Sequence, residues 1–144
     1  MKVKNILDSK GRKVFSVKES ATVEHIVSLL AANKVGFLVV LNDIGEVSGV
    51  ISERDVVHRC MSVKKDPVQL KASEIMTPRA SLSVASEEEE IESIMSTMTE
   101  KKIRHLPIFK GEELVGLISI GDVIKFILEE KNEEIKSLMD YVSR

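Results

Sequence analysis

Two stretches of this chain carry chemistry-bearing residues at one spacing. Gly49-Val50-Ile51-Ser52-Glu53-Arg54-Asp55 and Gly116-Leu117-Ile118-Ser119-Ile120-Gly121-Asp122 both read Gly-x-Ile-Ser-x-x-Asp, 67 positions apart. A serine three residues ahead of an acid at a helix start is a capping box, in which each side chain satisfies the other's backbone N–H. The same junction can also hold a ligand. It offers unpaired N–H groups at a positive dipole end, and a carboxylate there can accept both hydroxyls of a ribose. The readings are compatible, because the serine can cap while the aspartate binds. A ribose-binding carboxylate repels phosphate, so cations are needed nearby. Lys102, Arg104 and His105, which lead into a strand of the second half, are candidates, and Arg suits phosphate through its planar fork. The alternative for them is a solvated helix end. Arg54 can point at phosphate or at solvent. Lys10 and Arg12 can bring charge to the second motif or form a polar loop.

The elements that must position these residues also come twice. Residues 3–8 suggest a helical turn, ended by Ser9-Lys10-Gly11-Arg12, and Val14 to Val17 reads as extended. Thr22 can cap a helix whose Val23, Ile26, Val27 and Leu30 share one face. Phe37 to Leu41 is an apolar strand, Asn42 to Gly45 a turn, and Glu46 to Ile51 the returning strand. Ser52 opens a helix carrying Val56, Val57, Cys60 and Met61. Ser62 to Lys71 is polar and reads as a linker, and Ala72 to Met76 as one helical turn stopped before Pro78. Ile91, Ile94, Met95 and Met98 then repeat the first helix, His105 to Phe109 the strand, and Leu114 to Ile118 its return. The boundaries expected are 1–66 for one repeat, 67–128 for the next and 129–144 for an extension of the last helix. That helix has no Gly or Pro from Val123 to Val142. Ile124, Leu128, Ile135, Leu138 and Val142 form a stripe broken only by Lys131, along about 30 Å. A second chain, or the first half of this one, must cover it.

Composition excludes several classes. Net charge is −2 and only five residues are aromatic, which argues against a nucleic-acid partner. Cys60 is the sole cysteine, so no intrachain disulfide or cysteine metal cluster forms. No apolar run reaches the roughly 18 residues of a membrane span, and no signal-peptide core opens the chain, so a cytoplasmic protein is expected. His25, His58 and His105 are scattered, and no activated nucleophile accompanies them, so no enzyme is expected. Glu87 to Glu90 reads as an acidic helix start rather than a metal site.

The element order, the doubled motif, the lead-in Ile75-Met76-Thr77-Pro78 and the crossing from Met98 to Ile108 together resemble a tandem pair of cystathionine-β-synthase (CBS) domains of the small stand-alone type. The resemblance covers about residues 3–128. It implies an α+β fold, the Bateman module, with two βαββα units related by pseudo-twofold symmetry, here with a long C-terminal helix. It implies adenosyl ligands in clefts between the repeats: AMP, ADP, ATP or NAD(H), with S-adenosylmethionine as an alternative, and no required cofactor. It implies a non-catalytic module that signals energy or redox state to an unidentified protein by a conformational shift, commonly as a homodimer. The other reading is a dimerisation or adaptor module with vestigial pockets. Carried onto this chain, the resemblance gives ligand contacts at Ser52, Asp55, Thr77, Ile103, Pro107, Ser119 and Asp122. It sets Arg104 and His105 with Asp55, and Val35, Gly36 and Phe37 with Asp122. Arg104 and His105 correspond to Gly36 and Phe37, so the Asp55 site is expected to bind a phosphorylated ligand better.

Overall fold

The computed structural model describes residues 1–60, 62, 64 and 66–143. The expectation for Met61 lies outside the described residues.

The chain divides into two compact units, Val14–Ser83 and Met1–Lys13 with Val84–Arg144. These units do not follow the sequence repeats 1–66 and 67–128. Each takes the short helix that leads the other repeat.

In the first unit, β1 (Ser16–Lys18) lies parallel to β2 (Phe37–Leu41), which forms a hairpin with β3 (Val47–Ser52). The two-residue strand β4 (Thr77–Pro78) closes the other edge of β3. Between β1 and β2 runs α2 (Val23–Asn33), capped by the Thr22 hydroxyl accepting from His25 N–H at 3.2 Å. Val23, Ile26 and Leu30 are buried against Leu38, Val40 and Ile51. Val27, expected on the same face, is 45% exposed, because the buried face turns toward the half-buried Leu29 and leaves Val27 at its edge.

The second unit repeats this plan. β5 (Ala85–Ser86) is parallel to β6 (His105–Lys110), which pairs with β7 (Glu113–Ser119). Both hairpins shift register at the same place, Val40/Leu41 and Ile108/Phe109. Helix α5 (Ile91–Lys101) buries Ile91, Ile94 and Met98. Both α2 and α5 end on a lysine in the left-handed region, Lys34 and Lys102, where glycine is usual.

Helix α1 (Val3–Lys10) is longer than the single turn expected. Its Val3, Ile6 and Leu7 sit in the core with Ile94, Leu106 and Ile118, residues of the second repeat. It is ended by Gly11 at φ 98°, whose N–H donates to Leu7 C=O at 2.8 Å. Its start docks beside α5: Val3 and Lys4 N–H donate to the carbonyls of Glu89 and Glu87, both at 2.9 Å. Lys2 and Lys4 pair with Glu88, and Arg12 with Glu87 and Asp8. The acidic run Glu87 to Glu90 is therefore the socket for α1, besides opening α5.

Residues 66–71 of the expected linker are likewise docked, whereas positions 63 and 65 lie outside the described residues. Leu70 is buried, and Val23 N–H donates to its carbonyl at 2.9 Å. Helix α4 (Ala72–Ile75) follows, with Ala72 and Ile75 in the core of the first repeat's unit.

After Ser52 the expected helix is α3 (Glu53–Asp55), one turn that widens into a π turn over Val56–Cys60. Widening the turn keeps Cys60 buried and leaves Val57 exposed, against the expected stripe. The last helix, α6 (Ile120–Val142), buries Val123 and half-buries Phe126 and Ile127 on its own unit. Residues 131–143 are all exposed. No helix among the described residues is long and apolar enough to cross a membrane.

Candidate functional site

Both motifs end a strand and start a helix, and both form complete capping boxes. Ser52 N–H donates to Asp55 Oδ2 at 2.9 Å, and Asp55 N–H donates to Ser52 Oγ at 3.2 Å. The copy does the same at 2.9 and 3.1 Å between Ser119 and Asp122. Each aspartate thus uses one oxygen locally and keeps Oδ1 outside the box.

The motif glycines have a packing reason. A Cβ on Gly49 would lie 2.4 Å from Thr77 C=O and 2.8 Å from Met76 Sδ, and one on Gly116 would lie 2.6 Å from Leu7 Cδ2. At both places the segment leading the other repeat crosses the strand: at Gly49 only hydrogen fits against the Thr77 carbonyl, and at Gly116 a side chain would have to displace the end of Leu7.

What surrounds the carboxylates differs. Asp122 Oδ2 also accepts from Lys10 Nζ at 2.6 Å, and that ammonium donates to Leu117 C=O at 2.9 Å. Burial alone raises the Asp122 carboxyl. The Lys10 hydrogen bond, the Ser119 backbone N–H and the Lys10 charge outweigh it, so the group lies below the usual carboxylate range. Asp55 is looser: Arg59 Nε stands 3.7 Å from Oδ1, while Arg59 Nη1 donates to the carbonyls of Ile75 and Met76 at 3.2 and 2.7 Å. The sequence reading missed Arg59, although its place one helical turn after Asp55 was a signal.

The remaining candidates fall into two groups by unit. Gly36 and Phe37 lie beside Ser52: Gly36 C=O accepts from Glu53 N–H at 3.0 Å, and Phe37 is in register with Ser52. The Glu53 carboxyl lies over Gly36. Thr77 pairs with Val50 on the next strand, and Arg54 is exposed on the same turn. In the other unit, Arg104 C=O accepts from Ile120 N–H at 2.9 Å, and His105 is in register with Ser119. Pro107 is buried within β6, opposite Leu117. Val35 and Ile103 pack on the two cores, and their N–H groups close the ends of α2 and α5. Among the described residues, Arg54 and Arg104 are exposed and held in no ion pair, whereas Lys10 and Arg12 are both engaged. The described residues contain no group of three or more His, Cys, Asp or Glu placed to hold a metal.

Duplicated hairpins, exchanged leading helices and paired serine–aspartate helix starts define a two-repeat CBS module. The family model for the CBS domain matches residues 3–62 and again 72–129, and the chain belongs to that family. It is 29% identical to the mitochondrial CBS-domain protein CBSX3 of Arabidopsis thaliana, over 97% of this chain and 71% of that protein. A crystal structure of a CBS-domain protein from Agrobacterium tumefaciens superposes with a TM-score of 0.80 at 33% identity, covering 86% of this chain and 91% of that one. A CBS-domain protein from Pyrobaculum aerophilum, solved in complex with AMP, superposes with a TM-score of 0.72 at 27% identity, covering 85% and 89%.

Proposed function

We propose that this chain is a regulatory module that binds an adenine nucleotide, AMP, ADP, ATP or NAD(H), and reports energy or redox state to a partner protein without catalysis of its own. S-adenosylmethionine shares the adenosyl group and is the alternative ligand. Asp55 takes the ribose hydroxyls through Oδ1, the oxygen its capping box leaves unused. Ser52, Arg54 and Thr77 complete this site. Asp122 with Ser119 forms the weaker one.

The observation that carries the ranking is the difference between the two carboxylates. Lys10 occupies Asp122 at 2.6 Å, whereas Arg59, the cation paired with Asp55 among the described residues, stands at 3.7 Å. A ribose hydroxyl must compete with an ion pair at Asp122 and with very little at Asp55. The AMP complex of the Pyrobaculum relative supports the ligand class. A bound nucleotide shifts this protein's conformational equilibrium only by its differential affinity for the states involved. The module works as a homodimer.

Isothermal titration with AMP, ATP, NADH and S-adenosylmethionine tests the reading. Saturable binding of at least one is expected, with Asp55→Ala costing at least about tenfold in Kd, or about 1.4 kcal/mol, and Asp122→Ala less. Equal losses would refute the ranking. A second reading, a scaffold with vestigial pockets, is favoured by the complete capping boxes, which give both aspartates a structural duty. Absence of heat with all four ligands, with self-association intact, selects it.

A further inference from the structure

The last helix carries a surface that its own unit does not use. Val123, Phe126 and Ile127 face the body of the unit. Ile124, Leu128, Ile135, Leu138 and Val142 lie on a different face, at alternating steps of four and three residues once Lys131 is counted, and every one of the five is at least half exposed. Such a stripe is the seam of a coiled coil. The all-exposed stretch 131–143 is close to the length at which a helix without tertiary packing becomes marginal in water, so a cover would stabilise it.

The polar member of the seam decides what that cover is. Lys131 occupies a seam position and lies 3.4 Å from Glu134 of its own helix. In a parallel pair of these helices, Lys131 meets its own copy across the seam, two ammoniums in one layer. In an antiparallel pair the stripe is complementary to itself under reversal. Ile124 then lies level with Val142, Leu128 with Leu138, and Lys131 with Ile135. Every apolar member finds an apolar neighbour or the lysine stem, and each ammonium sits between the Glu134 carboxylates of both helices. We propose that α6 pairs antiparallel with α6 of a second copy of this chain, in this register. The inference rests on the homodimer stated above and adds its surface, direction and register.

Sedimentation velocity of the full chain comes first, and a dimer is expected. Leu128→Lys with Leu138→Lys should raise its dissociation constant at least about a hundredfold while the circular dichroism of the folded units persists, because both positions are exposed on the single chain. Direction is read by disulfide trapping in two single variants. Asn132→Cys, beside the seam near the twofold axis, cross-links only if the helices run antiparallel. Leu138→Cys cross-links only if they run parallel, since the antiparallel register parts its two copies by about ten residues, roughly 15 Å. The buried Cys60 leaves the unsubstituted chain as a non-cross-linking control. A dimer trapped by Asn132→Cys and not by Leu138→Cys carries the proposal. Trapping by Leu138→Cys overturns the direction and leaves the homodimer standing, a dimer indifferent to the double lysine variant overturns the surface, and a monomer overturns both.

Discussion

Asp122 is the residue whose titration tests the site most directly. Its folded-state carboxyl lies below its unfolded value, so the stabilisation is present above the unfolded value, near pH 4, and fades as pH falls through the folded one. Replacing Lys10 by Met removes the largest influence opposing burial. The Asp122 carboxyl should then titrate at higher pH, followed by carboxyl NMR. Stability at neutral pH should fall by about 1 kcal/mol, as befits a partly exposed pair. If the Asp122 titration is unmoved in this variant, the pair does not persist in solution. The same variant frees Asp122 for a ligand, so nucleotide titration should show the weaker site gaining affinity. The serine–aspartate pairs were legible in the sequence because a capping box is local in it. The Lys10–Asp122 pair was only half legible: the charge was visible, but its partner lies 112 positions away, and no periodicity reports a contact that distant.

At the scale of elements, the glycines that open the two motifs separate packing from backbone freedom. Neither Gly49 nor Gly116 has a positive φ, so the crossing segment alone excludes a side chain. At Gly49 the obstacle is the Thr77 carbonyl, part of a strand pairing, which cannot yield without breaking β3 from β4. At Gly116 it is the end of the Leu7 side chain, which is fully buried but can rotate. Gly49→Ala should therefore cost about 3 kcal/mol and Gly116→Ala nearer 1 kcal/mol, read from urea unfolding midpoints. A reversed order would mean that the Leu7 pocket is the more rigid of the two. The hairpins and the long helices were readable from alternation and spacing. The π turn was not, because Val56, Val57 and Cys60 satisfy a helical stripe equally well until the turn widens. The left-handed ends at Lys34 and Lys102 were also hidden, since lysine carries none of glycine's signal there.

The whole molecule shows that repeat and folding unit are different objects here. The sequence pattern divides at 66/67, yet the core around Ile26, Leu38 and Ile51 needs Leu70, Ala72 and Ile75 from beyond that line. The core around Ile94, Leu106 and Ile118 needs Val3, Ile6 and Leu7 from before it. Periodicity could not disclose this, because a short amphipathic turn such as Val3, Ile6 and Leu7 states that it has an apolar face and not whose core receives it. Losing three large buried side chains costs more than a small domain's whole margin, at about 2–5 kcal/mol for each truncation against a total of about 5–15 kcal/mol. Fragment 1–66 alone should therefore be largely unfolded by circular dichroism and amide NMR, and so should 67–144. Mixed in equal amounts, each supplies the leading helix the other lacks, and the mixture should regain cooperative thermal unfolding. A native spectrum from either fragment by itself would show the exchanged helices to be dispensable. Recovery confined to the mixture would make the exchange the reason that neither repeat folds without the other.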